Sequence, residues 1–302
     1  MSAPYVDIFC ERACNEAQKL AGDDYEIIMV NDGSPDNALE VAVAAAKRNH
    51  KITVIDLSRN FGHHKAMMTG LEYSKGELVY LIDVDLEEEP EWLSHFNKKM
   101  IAEECDVIYG VQQKRKGGVF ERISGGVFYK LINLLTGLKM PENVVTARLM
   151  SRRYANALLL HRERELFMAG LWYVTGFKQV GYKIVKHNTS PSTYTLRKKM
   201  KMMVNSVTAF TATPLVMIFY CGIIATIAAF VYIIWIVVNQ IVSPTPISGW
   251  ASTMATVMLF GGLNASFIGV VGFYLSKVYA EVKQRPYTIV RKVYDNTREE
   301  ND

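Results

Sequence analysis

The chain has 302 residues with a formal net charge of +4, 50% apolar and 21% charged. That is enough for one sizeable domain and something extra. No secretory signal peptide is legible, because the first 24 residues are too polar. The four cysteines (Cys10, Cys14, Cys105, Cys221) show no Cys-x-x-Cys spacing, so a disulfide framework or zinc site is not expected.

Residues 5–21 carry Val6, Phe9, Ala13 and Ala17 on one helical face. EIIMV (26–30) reads as a short strand closed by the turn sequence Asn31-Asp32-Gly33-Ser34-Pro35-Asp36, and 37–48 as an alanine-rich helix. KITVIDL (51–57) is the next strand, followed by a helix over about 63–73. ELVYLID (77–83) is continuously apolar and predicts a strand buried on both faces; DVIYGV (106–111) is a fourth. Strands alternating with helices predict an α/β domain with a mainly parallel sheet, whose ligands sit beyond the carboxyl ends of the strands. Asp32, the Arg59-Asn60 pair and Asp83/Asp85 all fall at such ends.

The third strand runs into Asp83 and Asp85, with Glu87, Glu88, Glu89 and Glu91 behind them. Carboxylates there must be solvated, paired or bound to metal. One reading is a solvated loop with an acidic helix start at Pro90. The other is a cation site: two carboxylates at i and i+2, with Glu87 as a third, suit one hard divalent ion such as Mg²⁺. A diphosphate leaving group needs such an ion.

Leu215–Val238 is 24 residues without a charge, and Trp250–Ser276 another 27. Both exceed the roughly 20 residues that cross a ~30 Å hydrocarbon core. The joining loop is uncharged, whereas Lys183, Lys186, Arg197, Lys198, Lys199 and Lys201 precede the first span and Lys277, Lys283, Arg285, Arg291 and Lys292 follow the second. The positive-inside rule places both termini and the α/β domain in the cytoplasm, at the inner (plasma) membrane. Before the first span, Thr195–Ala212 puts Leu196, Met200, Met203, Val207 and Phe210 on one face and its cations off it. Such a helix lies in the membrane interface or packs on the soluble domain. The chain divides accordingly into 1–194 (catalytic domain), 195–212 (interfacial helix), 213–276 (two-helix transmembrane hairpin) and 277–302 (basic tail).

VNDGSPD (30–36), SRNFGHHKAMMTGL (58–71), GELVYLIDVDLEEEPE (76–91) and RLMSRR (148–153) together resemble the family-2 glycosyltransferases of the GT-A fold. More narrowly the chain is similar to the polyisoprenyl-phosphate glycosyltransferases, the group of bactoprenol glucosyltransferases and dolichol-phosphate mannose synthases. The resemblance covers nearly all the chain, including the tail YLSKVYAEVKQRP (274–286). It implies a membrane-anchored inverting enzyme that moves a hexose from a UDP- or GDP-linked sugar to a polyprenyl phosphate, with Mg²⁺ or Mn²⁺. Asp32 would bind the base of the nucleotide, and Arg59, Asn60 and Gly62 would line its pocket. Asp83, Asp85 and Glu87 match the metal triplet, with Glu87 where relatives more often carry Gln. Lys114, Arg115 and Arg122 would meet the lipid phosphate, and Asp85 and Arg148 are the residues implied for catalysis. Two of these assignments have plainer alternatives: Asp32 as a helix cap, and Lys114 or Arg122 as surface charge. Glu163 and Glu165 could reach the sugar or belong to a solvated charged face.

The chain departs from the family pattern twice. Thr146 stands where many relatives carry an aspartate proposed as base. A lipid monophosphate is largely a dianion at neutral pH, so positioning matters more than deprotonation. Relatives also begin with a strand, central in their sheet, and a base-stacking loop; this sequence begins at the helix that follows them. Its neighbours would lose a partner on each side. The expectation is a sheet lacking its first strand, and a natural start upstream of Met1. No nucleic-acid partner is expected, and a homo-oligomer is compatible with the pattern. A processive polysaccharide synthase is disfavoured, since its Gln-x-x-Arg-Trp signature is absent. The alternative class is a catalytically impaired membrane scaffold or partner subunit.

Overall fold

The computed structural model describes residues 2–112, 141, 143–164, 166–185, 208, 211–242 and 249–295. These form two compact units, Met1–Lys199 with Pro286–Asp302 and, separately, Met200–Arg285.

In the first unit, α1 (Ala3–Ala21) starts with a proline in its first turn and stops at Gly22, whose φ of +60° is open to glycine. Of the face that the 5–21 spacing predicts, Val6 and Phe9 are buried, together with Cys10 and Glu16, whereas Ala13 and Ala17 are half-buried. β1 (Ile27–Asn31), α2 (Ala38–Arg48), β2 (Ile52–Leu57) and α3 (His63–Tyr73) follow. In α2 the small residues Ala38, Ala42, Ala45 and Ala46 are the buried ones, which lets the helix approach Ile52 and Val54 closely. β3 (Leu78–Leu81) leads through the acidic loop to α4 (Trp92–Glu103) and β4 (Val107–Gln112). After β5 (Val144–Ser151) come α5 (Arg152–Leu159), α6 (Met168–Val174) and β6 (Gln179–Ile184). α5 starts at Ser151, whose side chain accepts from the N–H of Tyr154 and fills the N-cap role.

The strands make two sheets, β1-β2-β7 and β3-β5-β4-β6, where β7 is Val290–Tyr294. β1/β2 and β4/β6 pair in parallel; β2/β7, β3/β5 and β4/β5 pair antiparallel. Alternation of strand and helix predicts a mainly parallel sheet, and the pairing is more mixed. α4 carries the chain from β3 to β4 in the same direction, but β5 then slots between them running the other way. The tail assigned as basic and extramembranous contributes β7, an edge strand laid on β2.

β1 and β3 each keep one edge that no described strand covers, and both edges line one cavity of about 970 Å³. Consecutive residues line it, Ile27 to Val30 and Leu78 to Ile82. Side chains of a strand alternate between faces, so an unbroken run means the backbone edge itself faces the space. α1 contributes Phe9, Ala13 and Ala17, and α3 contributes Ala66, Met67 and Gly70. Two uncovered edges facing one space are what a sheet lacking one strand would leave.

On the other sheet, Phe96 of α4 is fully buried and meets Tyr80, Trp92 and Tyr182 at ring-centroid distances of 5.9, 6.4 and 5.4 Å. This aromatic cluster fixes α4 over β3 and β6, and with it the far end of the acidic loop.

The second unit contains α7 (Thr213–Val242) and α8 (Trp250–Val282). Two stretches, Thr213–Ile236 and Thr256–Val282, are long and apolar enough to cross a membrane. Their large side chains are exposed, Phe219, Phe230, Trp235 and Ile268 among them.

Candidate active site

The loops after β1, β2 and β3 build the site. Beyond β1, Asp32 turns its carboxylate across to the loop after β2, accepting from the N–H of Phe61 (2.7 Å, Oδ1) and of Gly62 (2.9 Å, Oδ2). Gly62 is the N-cap position of α3, with φ +103°. Asp32 thus satisfies backbone donors at the start of α3, a capping role played from a different loop. The tie is reciprocal, since Asn60 Nδ2 donates to the Asp32 carbonyl at 2.8 Å. Gly33, at φ +65°, lies so close that a Cβ there would sit 2.8 Å from the Asn60 nitrogen. The guanidinium of Arg59 lies over the Phe61 ring, 4.2 Å from its centroid.

Cations gather around this loop pair. Lys65, in the first turn of α3, has its pKa lowered by burial first and then by Arg59 and Arg164, with Asp32 opposing. Positive charges held together against their own repulsion make a ready seat for an anionic group. His63 stands at the first position of α3 with Nε2 3.4 Å from Asp83 Oδ1. His64 turns inward, Nδ1 3.0 Å from the Leu166 carbonyl, and burial lowers its pKa.

The acidic run divides by function. Asp83 and Asp85 line the cavity together with Asp32, Ser34, Asn60 and His63. Asp85 Oδ1 accepts from the N–H of Glu87 at 3.0 Å, bending the chain through Leu86, which adopts φ +57°. A leucine in the left-handed region costs about 1–2 kcal/mol, strain of the kind found at ligand-binding loops. Glu88 points the other way, fully buried, and accepts from the N–H of Thr146 at 3.1 Å. Glu91 stands at the N-cap position of α4, and its carboxylate accepts from Nε and Nη2 of Arg12 at 2.8 and 2.6 Å.

Arg148 is 1% exposed, in the middle of β5 opposite Leu81 and Tyr109. Its guanidinium donates to the carbonyls of Thr146 and Val145, both at 3.1 Å, and lies over the Trp172 ring. Burial pulls its pKa down to about 9, which leaves it charged at neutral pH. It sits behind the acidic loop and does not line the cavity. Lys114, Arg115, Arg122, Glu165 and nearly all of the 195–212 segment lie outside the described residues.

Asp83 and Asp85 offer hard carboxylate oxygens, the donor type that Mg²⁺ and Mn²⁺ take. Among the described residues no three His, Cys, Asp or Glu side chains converge on one point, so Glu87 is not gathered with them. The pair fits an ion that takes one or two protein carboxylates and fills its shell with phosphate oxygens and water.

The sequence model of glycosyl transferase family 2 matches residues 3–159, which span α1 to the end of α5 and so every loop just described. The chain belongs to that family. This glycosyltransferase is 44% identical over 294 residues to a glycosyltransferase-named protein of Mycobacterium tuberculosis, covering 97% of this chain and 86% of that one. It is 31% identical over 283 residues to a prophage-derived bactoprenol glucosyl transferase of Shigella flexneri, covering 93% and 92%. Mannosyl-3-phosphoglycerate synthase of Rubrobacter xylanophilus, a solved structure, overlays with TM-score 0.45 and 16% identity over 68% of each chain.

Of the residues expected at the nucleotide-sugar site, the structure brings Asp32, Asn60 and Asp83 to one cavity with Asp85; Arg59 and Gly62 stand beside it in the Asp32 loop contact. Sequence reasoning missed His63, Lys65 and Arg164. His63 and Lys65 were within reach, since the first turn of a helix that starts at a strand-end loop must face that loop.

Proposed function

We propose that this glycosyltransferase moves a hexose from a UDP- or GDP-linked sugar to a polyprenyl phosphate at a membrane surface, with inversion at the anomeric carbon. The observation that carries the reading is that Asp32, Asn60, His63, Asp83 and Asp85, from the segments that follow β1, β2 and β3, all line the one cavity that runs along the open edges of β1 and β3. Lys65, which feels the charges of Arg59, Arg164 and Asp32, adds positive charge near this loop pair, suited to a diphosphate. The names of the bactoprenol glucosyl transferase relatives support a lipid-phosphate acceptor. α7 and α8, apolar on all sides, support a membrane anchor whose basic flanks favour a cytoplasmic catalytic unit.

In this reading Asp32 and Asn60 hold the nucleoside, and the cations beside them hold its diphosphate. Asp83 and Asp85 are the residues that would hold Mg²⁺ or Mn²⁺, which when bound neutralises charge developing on the leaving diphosphate. An oxygen of the acceptor phosphate bonds to the anomeric carbon as the bond from that carbon to the donor diphosphate breaks. The nucleoside diphosphate departs with the electron pair. No proton has to be removed, because the acceptor is mostly dianionic at pH 7, which suits a threonine at position 146. Lys114, Arg115 and Arg122 are assigned to the lipid phosphate.

The test is a panel of UDP- and GDP-hexoses with undecaprenyl phosphate and Mg²⁺ or Mn²⁺, using the full chain in detergent or nanodiscs. One sugar–nucleotide combination is expected to give a polyprenyl-phospho-hexose and free nucleoside diphosphate. Donor turnover with a sugar acceptor but none with the lipid phosphate overturns the acceptor assignment. No turnover with any donor favours the scaffold reading.

A further inference from the structure

We infer that Arg291, on the strand that follows the second apolar helix in the chain, is a positioning residue for the donor-binding loop. The inference rests on the nucleotide-sugar reading of the Asp32 loop.

It begins with a carboxylate in an unexpected place. Asp56 is 1% exposed in the middle strand of its sheet, between Ile55 and Leu57, which are both fully buried. Burying a charge among such neighbours is costly unless it is paired. Asp56 has two partners, on opposite sides. Towards β1 it lies in register with Asn31, whose Nδ2 donates to Asp56 Oδ1 at 2.8 Å. Towards β7 its Oδ2, which has no hydrogen-bond donor among the described residues, is met by Arg291 Nη1 at 3.3 Å. The β2/β7 register shifts between Asp56 and Leu57. Such an irregularity re-aims side chains.

The line continues past Asn31. Its Oδ1 accepts from the N–H of Ser34 at 3.2 Å, closing the turn that contains Asp32 and Gly33. Gly33 in turn abuts Asn60 with no room for a Cβ. A continuous series of polar contacts therefore runs from Arg291 through Asp56 and Asn31 to the loop whose carboxylate binds the start of α3. Arg291 also reaches the chain just after β2, Nη2 donating to the Ser58 carbonyl at 2.5 Å. Asn31 needs a rigid, correctly oriented acceptor to keep its amide oxygen on Ser34, and the Asp56–Arg291 pair supplies it.

The experiment compares wild type, Arg291→Lys, Arg291→Gln and the double variant Asp56→Asn/Arg291→Gln, as full chains in detergent. UDP and GDP binding is measured in the presence of Mn²⁺, with KM for donor and for polyprenyl phosphate, and Tm. Arg291→Gln is expected to weaken nucleotide binding and raise donor KM about tenfold, with acceptor KM within about twofold. Arg291→Lys keeps the charge and recovers most of the loss. The double variant leaves no unbalanced buried charge, so it regains wild-type Tm yet stays weak for the nucleotide. Nucleotide binding in Arg291→Gln within about twofold of wild type overturns the inference, as does full recovery of binding in the double variant. Equal rises in both KM values with a lowered Tm also overturn it, as a plain folding defect. A wild type that binds neither UDP nor GDP fails the donor reading first and takes this inference with it.

Discussion

The buried carboxylate of Glu88 accepts a hydrogen bond from the backbone N–H of Thr146, 58 residues away in sequence, at 3.1 Å. One acid of the six-member cluster thereby fastens the loop bearing Asp83 and Asp85 to β5, while those two remain at the cavity. Glu88→Ala removes the acceptor of the Thr146 N–H and empties a fully buried site. A loss of about 1–3 kcal/mol in urea-unfolding stability is expected. An unchanged midpoint would show that the loop is held by other contacts.

Gly33 is the second mechanical point. Gly33→Ala puts a methyl group 2.8 Å from the Asn60 nitrogen, at a φ of +65° that disfavours side chains. The loops after β1 and β2 must separate; on the proposed donor assignment, donor KM is expected to rise severalfold while acceptor KM stays near wild type. Steady-state kinetics with each substrate varied in turn would check this.

Asp85→Ala is expected to abolish hexose transfer while leaving the circular dichroism spectrum intact, because loss of a cation clamp costs several kcal/mol in the transition state. EDTA should silence the wild type, with Mg²⁺ or Mn²⁺ restoring it. Full activity of the variant, or in EDTA, would remove the metal assignment.

Asp106 governs an acid-sensitive joint. Its carboxylate receives Arg153 Nη2 at 2.7 Å and Ser151 Oγ at 2.8 Å, and the hydrogen bond from Arg153 holds its pKa below the usual value. A depressed carboxylate pKa stabilises the fold above the unfolded value of about 3.9, and that contribution disappears as pH falls through the lower folded value. Wild type should lose Tm steeply below about pH 4, and Asp106→Asn should show a lower Tm at pH 7 with a flatter acid limb.

The basic run before the first apolar helix is testable from sequence alone. Replacing Arg197, Lys198, Lys199 and Lys201 by Gln removes charges each worth about 1 kcal/mol near an anionic surface. Apparent KM for polyprenyl phosphate should rise and donor KM should hold. A matching rise in both would point to misfolding.

The existence of the elements up to β4 was legible because their pattern is local: α3 starts and ends at residues 63 and 73, where the spacing puts it. β3, however, is an edge strand with Leu78 exposed and the rest half-buried, not a strand buried on both faces. The acidic pair and Asp32 were legible for the same reason, as polar residues abutting apolar runs. What stayed hidden depends on partners far along the chain. Residues 144–151 have no alternation that reveals an antiparallel strand between β3 and β4. Residues 290–294, with Arg291 and Lys292 inside them, look like a solvated tail until β2 offers an edge. Arg148 illustrates the same limit, since nothing in RLMSRR says that its guanidinium turns back onto its own strand's carbonyls.

β7 has a consequence for biosynthesis. The catalytic unit is assembled from two stretches of chain, and the second leaves the ribosome only after both long apolar helices have been made. Until then β2 presents a bare edge at Val54, Ile55 and Asp56, the pattern that recruits strands from other molecules. Completion of the sheet thus waits on translation of both long apolar helices, which ties maturation of the α/β unit to the moment when those helices have already been made.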